Sequence, residues 1–287
     1  MGNELQNKVV MVTGATNGIG LEAAKVLAAK GATIVGVGRN PQKCMAAVQQ
    51  IKSATGNNAV EFFVADLSLQ ADVRQLAADF KRQYNRLDAL LNNAGAYFAR
   101  RETNKDGQEM TWALNHLNYF LLTDQLLEVL TRSAPARIVN VSSGVHSIVK
   151  RINFEDVEYK QGYNGWTVYG QSKLANVMFT YELARRLAGM QVTVNALHPG
   201  FVATGFGHNN GSLMRTGMHV VQKIVAKKPE QGAQTSVYLA SSPLVAGVTG
   251  KYFADSKETK SSAASYEVSA QRRLWELSEQ MVSGGAN

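Results

Sequence analysis

Tyr169 and Lys173 are the two residues of this chain best suited to moving a proton. They stand four apart in Trp166-Thr-Val-Tyr169-Gly-Gln-Ser-Lys173, and in a helix that spacing puts phenol and ammonium one turn apart on one face. A phenol titrates near pH ~10 in water and is a poor proton shuttle at neutrality. A fixed ammonium nearby favours the phenolate, each unit of lowering representing ~1.4 kcal/mol. Upstream, Arg137-Ile-Val-Asn-Val-Ser142-Ser143 reads as a buried strand ending in two hydroxyls. A serine there could hold a substrate oxygen beside the phenol. Such a set transfers protons to and from a carbonyl or an alcohol. The same Tyr–Lys spacing also occurs in many helices without chemistry, so its meaning depends on the elements around it.

Those elements belong to a chain of 287 residues, enough for one large α/β domain spanning 1–287. Apolar residues at 45% and charged residues at 18% describe a globule with a substantial core. Cys44 has no second cysteine to pair with, which fits a reducing compartment. Residues 1–8 form no apolar signal region, and no stretch reaches the ~18 to 20 apolar residues of a membrane span, so a cytoplasmic protein is expected. The net charge of +8 is spread over separate pairs such as Arg100-Arg101, Arg185-Arg186 and Arg272-Arg273. That pattern lacks the basic stripe of a nucleic-acid surface and better suits an anionic small ligand. No group of His, Cys and carboxylates shows metal-ligand spacing, so no metal is expected.

The first half reads as alternating strands and helices. Lys8 to Thr13 is an apolar strand, followed by Gly14-Ala15-Thr16-Asn17-Gly18-Ile19-Gly20 and a helix from Leu21 to Lys30. Strand, glycine-rich turn and helix in that order allow close approach of phosphate oxygens to unpaired helix N–H groups. The second strand, Ala32 to Gly38, ends in Arg39-Asn40, nineteen residues beyond Gly20. An acid near that position binds the ribose 2′-hydroxyl of NAD, whereas an arginine accommodates a 2′-phosphate. Arg39 therefore points to NADP(H) over NAD(H), its alternative being a solvated strand-end arginine. Asp66-Leu67 closes the third strand, where Asp66 could cap the next helix, accept from an adenine amino group, or both. Leu87 to Leu91 is a fourth strand, closed by Asn92-Asn93-Ala94-Gly95. Such alternation implies a doubly wound parallel sheet with helices on both faces, a Rossmann-type α/β fold. The glycine turn, Arg39, Asp66, Asn92-Asn93 and Ser142-Ser143 all follow carboxyl ends of apparent strands, where such sheets bind ligands.

A long helix is predicted from Gly107 to Leu130. Asn115, inside its apolar pattern, is either a satisfied core amide or the holder of a water or local distortion. Tyr169 to Leu187 continues as a helix, and Gln191 to Leu197 is a sixth strand, followed by His198, read as a packed or hydrogen-bonded residue. The mixed segment at about 201–228 suits either a lid over an apolar substrate or a permanently packed helix. Pro229 to Ala240 reads as a helix and Gly250 to Phe253 as a last strand. A C-terminal helix over 263–282 would place Tyr266, Ala270, Leu274, Leu277 and Met281 against the body.

Together these motifs resemble the short-chain dehydrogenases/reductases. Thr13-Gly14-x-x-x-Gly18-Ile19-Gly20 is similar to their cofactor motif and Asn92-Asn93-Ala94-Gly95 to their fourth-strand signature. Tyr169-x-x-x-Lys173 with Ser143 and Asn115 matches the family's catalytic tetrad, and His198-Pro199-Gly200 with Val202 and Thr204 resembles the segment contacting nicotinamide and pyrophosphate. Leu114 to Thr123, Ser172 to Thr180 and Arg273 to Glu279 resemble the retinol dehydrogenase and WW-domain oxidoreductase branch. Two departures stand out. The N-terminal anchor common among retinol dehydrogenases is not expected from residues 1–8, and Asn17 stands where many NADP-preferring members carry a basic residue. In many members the helices bearing Asn115 and Tyr169 form a dimer interface, so the resemblance also implies a homodimer as one arrangement.

The resemblance implies reversible hydride transfer between NADP(H) and an alcohol/carbonyl pair, the apolar residues beyond Thr204 suggesting a hydrophobic ketone or aldehyde. In its terms Tyr169 is the general acid/base, Ser143 orients the substrate oxygen, Lys173 tunes the phenol and holds the nicotinamide ribose, and Asn115 positions a water. The rival readings are a redox-inactive NADP-binding regulator on the same fold, which turnover with a carbonyl panel would exclude, and a nucleotide-sugar epimerase or dehydratase, which usually needs a larger C-terminal region.

Overall fold

A computed structural model describes residues 4–200 and 228–283. The expected contacts of Val202 and Thr204 and the proposed lid at 201–227 lie outside the described residues. Among the described residues, eight strands form one sheet in the order β3-β2-β1-β4-β5-β6-β7-β8. They are β1 Val9–Thr13, β2 Thr33–Gly38, β3 Val60–Val64, β4 Ala89–Asn92, β5 Ala136–Val141, β6 Val192–His198, β7 Lys251–Ala254 and β8 Lys257–Thr259. The first seven pair in parallel and β8 returns antiparallel at the edge. Between β1 and its neighbours β2 and β4 the chain changes winding direction, which opens a crevice at the carboxyl ends of those strands.

Strand alternation divides the core into two layers. Val9 and Met11 of β1 face one apolar cluster, and Val10 and Val12 face the other, as the two-residue pleat requires. All five residues of β1 are buried, because helices cover both faces of a parallel sheet. On one face lie α1 (Gly18–Ala29), α2 (Pro41–Thr55) and α7 (Pro229–Ser241). The other holds α3 (Gln70–Gln83), α4 (Met110–Trp112), α5 (Asn118–Arg132), α6 (Gly165–Arg186) and α8 (Val268–Ser283). Local signals set several boundaries. Pro41 opens α2, the Asn40 side chain accepts from the Lys43 amide, and Gly56 closes the helix at φ 71°, a left-handed conformation that suits glycine.

Three expectations need correcting. The helix bearing Tyr169 starts at Gly165, four residues earlier than predicted, because the Asn164 side chain caps it by accepting from the Thr167 amide at 3.0 Å. The helix predicted over Gly107 to Leu130 is instead α4, a π-helical turn over Ala113–Leu117, and α5. The third correction concerns the C-terminus, where α8 begins at Val268 after a 3₁₀ turn over Ala263–Tyr266. Its fully buried line is Gln271, Leu274, Ser278 and Val282. Tyr266 is half exposed and stacks on Tyr181. The polar members of the buried line are tolerated because each is hydrogen-bonded, Gln271 to the Ser265 carbonyl and Ser278 to His116.

Helix α8 lies across α5 and α6. The Trp275 ring sits 4.9 Å from Phe120 and 5.8 Å from Phe179, with the Arg186 guanidinium 4.1 Å from its centroid. These are the helices to which the resemblance assigns a dimer interface, so pairing through the Phe120/Phe179 surface would require α8 to be displaced. No helix among the described residues is long and apolar enough to cross a membrane. Leu274 is 1% exposed, so Leu274→Ala should destabilise the protein by about 2 to 5 kcal/mol. In urea titrations this would appear as a lower midpoint with an unchanged slope.

Candidate active site

The crevice is built from strand ends. A cleft of about 1590 Å³, counted with its open mouth, is lined by Gly14, Thr16, Asn17, Gly18, Ile19 and Gly20, by Arg39, by Asp66 and Leu67, and by Asn93, Ala94 and Gly95. Ser143, Tyr169, Lys173, Pro199 and Gly200 complete the wall on the other side. These seven stretches are widely separated in sequence, and the parallel sheet gathers them because each follows the carboxyl end of a strand or lies on a helix packed there.

The glycine turn leaves no room for a side chain at Gly14 or Gly20. Gly14 and Gly18 adopt φ of 66° and 55°, and a Cβ on Gly20 would lie 2.4 Å from the Gly14 carbonyl oxygen and 2.6 Å from Asn93 Nδ2. Thr13, the first residue of the glycine motif, fastens this turn to the loop after β4. Its Oγ1 accepts from the Asn93 and Ala94 amides at 2.8 and 3.0 Å, and its carbonyl accepts from Asn93 Nδ2 at 2.8 Å. Asn17 starts α1 without a side-chain cap, so the amides of the first turn face the cleft with the positive end of the helix dipole. The residues present therefore fit a dinucleotide phosphate. Exposed Arg39 stands at the end of β2. Asn40 does not line the cleft, because its side-chain oxygen is taken by the Lys43 amide. Asp66 neither caps α3, whose N-cap is Leu69, nor stands alone: it accepts from the Ser68 amide and hydroxyl at 3.0 and 2.7 Å, forming the turn that carries Leu67.

Tyr169 and Lys173 are both buried, at 7% and 3% exposure. The Tyr169 phenol is hydrogen-bonded with the Ser143 side chain. Ser142 points elsewhere, its hydroxyl donating to the Lys173 carbonyl at 2.7 Å. Lys173 Nζ donates to the Val141 carbonyl at 3.1 Å and lies 5.5 and 5.7 Å from the ring centroids of Tyr119 and Tyr169. Burial drives the Lys173 ammonium down to about 7. It also drives the phenol up, against the smaller opposing effect of the Ser143 hydrogen bond. An acidified phenol, as the spacing suggested, is therefore not what the structure shows. Desolvation disfavours both charged forms.

Asn115 does not face the cleft. It sits fully buried in the π turn, a distortion frequent at functional sites. Its Oδ1 accepts from the Ala96 amide, and its Nδ2 donates to the Ala96 carbonyl and to Ser172 Oγ at 2.9 and 3.1 Å. It thus ties the loop after β4 to the residue before Lys173. A Cβ on Gly95 would press to 3.1 Å from Asn115 Oδ1 and 3.3 Å from Lys173 Nζ. His198 is packed and hydrogen-bonded as expected, accepting from the Gly200 amide at 3.1 Å and stacking on Tyr252. Phe98, Leu114, Val145 and Trp166 form apolar walls beside Tyr169. Trp166 stands beside the Tyr169 motif in sequence, whereas Phe98, Leu114 and Val145 carry no signal beyond their apolar character that would place them in the site. Among the described residues, no group of three His, Cys, Asp or Glu gathers to hold a metal ion.

Residues 8–214 match the short chain dehydrogenase family. Over 97% of its length the chain is 40% identical to human "Retinol dehydrogenase 13", covering 85% of that protein, and over 96% it is 38% identical to human "Polyprenol dehydrogenase", again covering 85%. Among solved structures, an uncharacterized protein from Mycobacterium Paratuberculosis aligns with a TM-score of 0.78 at 31% identity, over 97% of this chain and 94% of that one. A short chain dehydrogenase from Escherichia coli CFT073 complexed with NADPH aligns at 0.69 with 26% identity, over 89% and 99%.

The depressed Lys173 value carries a stability consequence. An unfolded chain keeps the ammonium proton up to about pH 10.5, whereas the folded protein releases it near 7. Between those limits the unfolded state binds more protons, so folding stability rises with pH. Lys173→Met should remove that rise. Chemical denaturation at pH 7 and pH 9.5 checks it, and an equal pH response in both proteins would show that the ammonium stays charged.

Proposed function

Since this chain belongs to the short-chain dehydrogenase family and is an oxidoreductase acting on CH–OH or C=O groups, we propose that it transfers hydride between NADP(H) and a hydrophobic ketone or aldehyde and its alcohol. The observation that carries this reading is the pairing of Tyr169 with Ser143 over Lys173 in the wall of a cleft whose opposite side is the glycine turn. The dinucleotide would be held by the α1 amides, by Thr16, Asn17 and Ile19 of the turn, and by Asp66, Leu67 and Asn93 to Gly95 along the crevice. Pro199, Gly200, Val202 and Thr204 complete that set. Bound there, the nicotinamide supplies or accepts the hydride.

The protein's own groups handle the proton. In the reducing direction Tyr169 donates to the carbonyl oxygen as general acid, and Ser143 hydrogen-bonds that oxygen and orients it. A phenol kept protonated by burial is in the form that reduction needs. Lys173, with a value near neutrality, can return a proton to the phenolate at physiological pH, since a group matched to the ambient pH transfers protons best. Asn115 holds Ala96 and Ser172 so that the cleft wall and the Lys173 helix keep their spacing.

The preference for NADP(H) rests on Arg39, exposed at the cleft edge where a 2′-phosphate would lie, with no carboxylate immediately beside it in sequence. A solved relative complexed with NADPH and another complexed with NADP support it. The apolar walls of Phe98, Leu114, Val145 and Trp166, together with relatives named for retinol and polyprenol, support an apolar substrate. A panel of aliphatic, aromatic and isoprenoid carbonyls, followed by NADPH absorbance and repeated with NADH, tests the whole reading. Tyr169→Phe should lower kcat by ~10²-fold or more while NADPH binding, followed by fluorescence, is kept. A fully active variant overturns the assignment. Arg39→Asp should reverse the NADPH/NADH ratio of kcat/KM, and an unchanged ratio would place cofactor choice elsewhere.

A further inference from the structure

Behind Asn115 a file of buried polar side chains leads away from the cleft into the C-terminal helix. Asn176 Nδ2, one turn beyond Lys173 on α6, donates to the Asn115 carbonyl at 2.8 Å. His116 Nδ1 meets Asn176 Oδ1 at 3.2 Å, and His116 Nε2 meets Ser278 Oγ of α8 at 2.9 Å. Asn115, His116, Asn176 and Ser278 are all 0% exposed, so each polar atom depends on its neighbour for satisfaction. The direction of the bonds follows from the acceptors. The Asn115 carbonyl can only accept, which fixes Nδ2 of Asn176 toward it and leaves Oδ1 toward the imidazole. Nδ1 of His116 must then carry the proton, and Nε2 faces the Ser278 hydroxyl, whose single proton is shared between that nitrogen and the Leu274 carbonyl of its own helix at 2.8 Å. Burial holds that imidazole neutral, its value lowered to about 4 with a smaller contribution from Lys173.

Beyond Asn115 the bonds continue in the same sense. Asn115 Nδ2 donates to Ser172 Oγ, whose hydroxyl donates to the Tyr169 carbonyl at 2.7 Å. We propose that His116, Asn176 and Ser278 are positioning residues, through which the C-terminal helix sets the π turn of Asn115 and hence the placement of Ala96, Tyr169 and Lys173. Hydrogen bonds aligned head to tail polarise one another, and the aromatic clasp of Trp275 on Phe120 and Phe179 fixes the far end of the file. This rests on the proposed role of Tyr169 and Lys173, but its physical content is a coupling between α8 and the loop after β4.

Ser278→Ala removes one hydroxyl without enlarging the side chain, and Ser278→Thr keeps it. Ser283→Ala is the control: that residue makes the same bond to its own helix, Oγ to the Glu279 carbonyl at 2.7 Å, but is exposed. Native-state hydrogen exchange read at the Ala96 amide needs no turnover. Exchange there should quicken by about tenfold in Ser278→Ala, the worth of one buried hydrogen bond, and stay within twofold of wild type in Ser278→Thr and Ser283→Ala. In carbonyl reduction, Ser278→Ala should lower kcat by about tenfold, leave KM for NADPH within twofold and displace the pH profile of kcat, with Thr restoring all three. Unchanged Ala96 exchange with a lowered melting temperature would reduce Ser278 to core packing and overturn the proposal. Loss of activity in Tyr169→Phe beside a wild-type-like Ser278→Ala would also overturn it while leaving the hydride-transfer reading intact.

Discussion

An ammonium that has no carboxylate partner among the described residues, buried at 3% exposure, is the constraint around which this molecule is arranged. Lys173 is held by one carbonyl, that of Val141 at the end of β5, and by the faces of two tyrosines. Ring faces and a carbonyl stabilise a cation less than water does, so the charge is only marginally favoured near neutrality. That condition requires the surroundings to be rigid: a shift of the Val141 carbonyl or of either ring would change the proton affinity directly. Rigidity is supplied from three sides. Ser142 bonds the Lys173 carbonyl, Asn115 bonds Ser172, and Gly95 lets the loop after β4 approach within a distance that a methyl group would contest.

The fold was legible because a parallel sheet covered on both faces writes its strands as uninterrupted apolar runs. Val9 to Val12 is of this kind, Ala136 to Val141 is broken only by Arg137 and Asn140, and the ligand-facing residues had to follow their ends. The edge was not legible. Strand β8 has three exposed residues, Lys257, Glu258 and Thr259, and its hairpin turns on Asp255 and Ser256 at φ of 48° and 59°, without the glycine that usually marks such a turn. Helix α8 was found, and Leu274, Ala270, Leu277 and Met281 of the expected apolar face do pack against the core, but the polar part of its buried line was missed. A line containing Gln271 and Ser278 shows no apolar period, and it is buried because partners on α6, the π turn and the 3₁₀ turn satisfy it.

The site divides in the same way. Gly14, Gly18, Gly20, Arg39, Ser143, Tyr169 and Lys173 could be placed from types and spacing, and all line one cleft. Asn40 could not be separated from Arg39 by sequence, because capping a helix and touching a ligand call for the same short amide. Asn115 was visible as an amide in an apolar pattern. That its side chain turns away from the cleft to hold Ala96 depends on a π turn, which has no sequence signal of its own. The phenol's proton affinity was misjudged for a related reason. Spacing reports a neighbour's charge, whereas the shift is governed by how far both groups are removed from water, a property of the assembled layers.

Burial of this degree explains why α8 lies where it does. A helix such as α6, with seventeen of its twenty-two residues buried, needs cover on the side away from the sheet as well as toward it. In this chain α8 supplies that cover with Trp275, Leu274 and Ser278, next to the π turn. Water kept from that side cannot solvate the Lys173 helix or compete for the Asn115 carbonyl, which strengthens the remaining hydrogen bonds. The low dielectric that brings the ammonium near pH 7 is thus made in part by residues about a hundred positions downstream of it. Any change that loosens α8 should be felt first as a change in protonation at the cleft and only later as loss of the fold, since the sheet and its other helices form a core of their own.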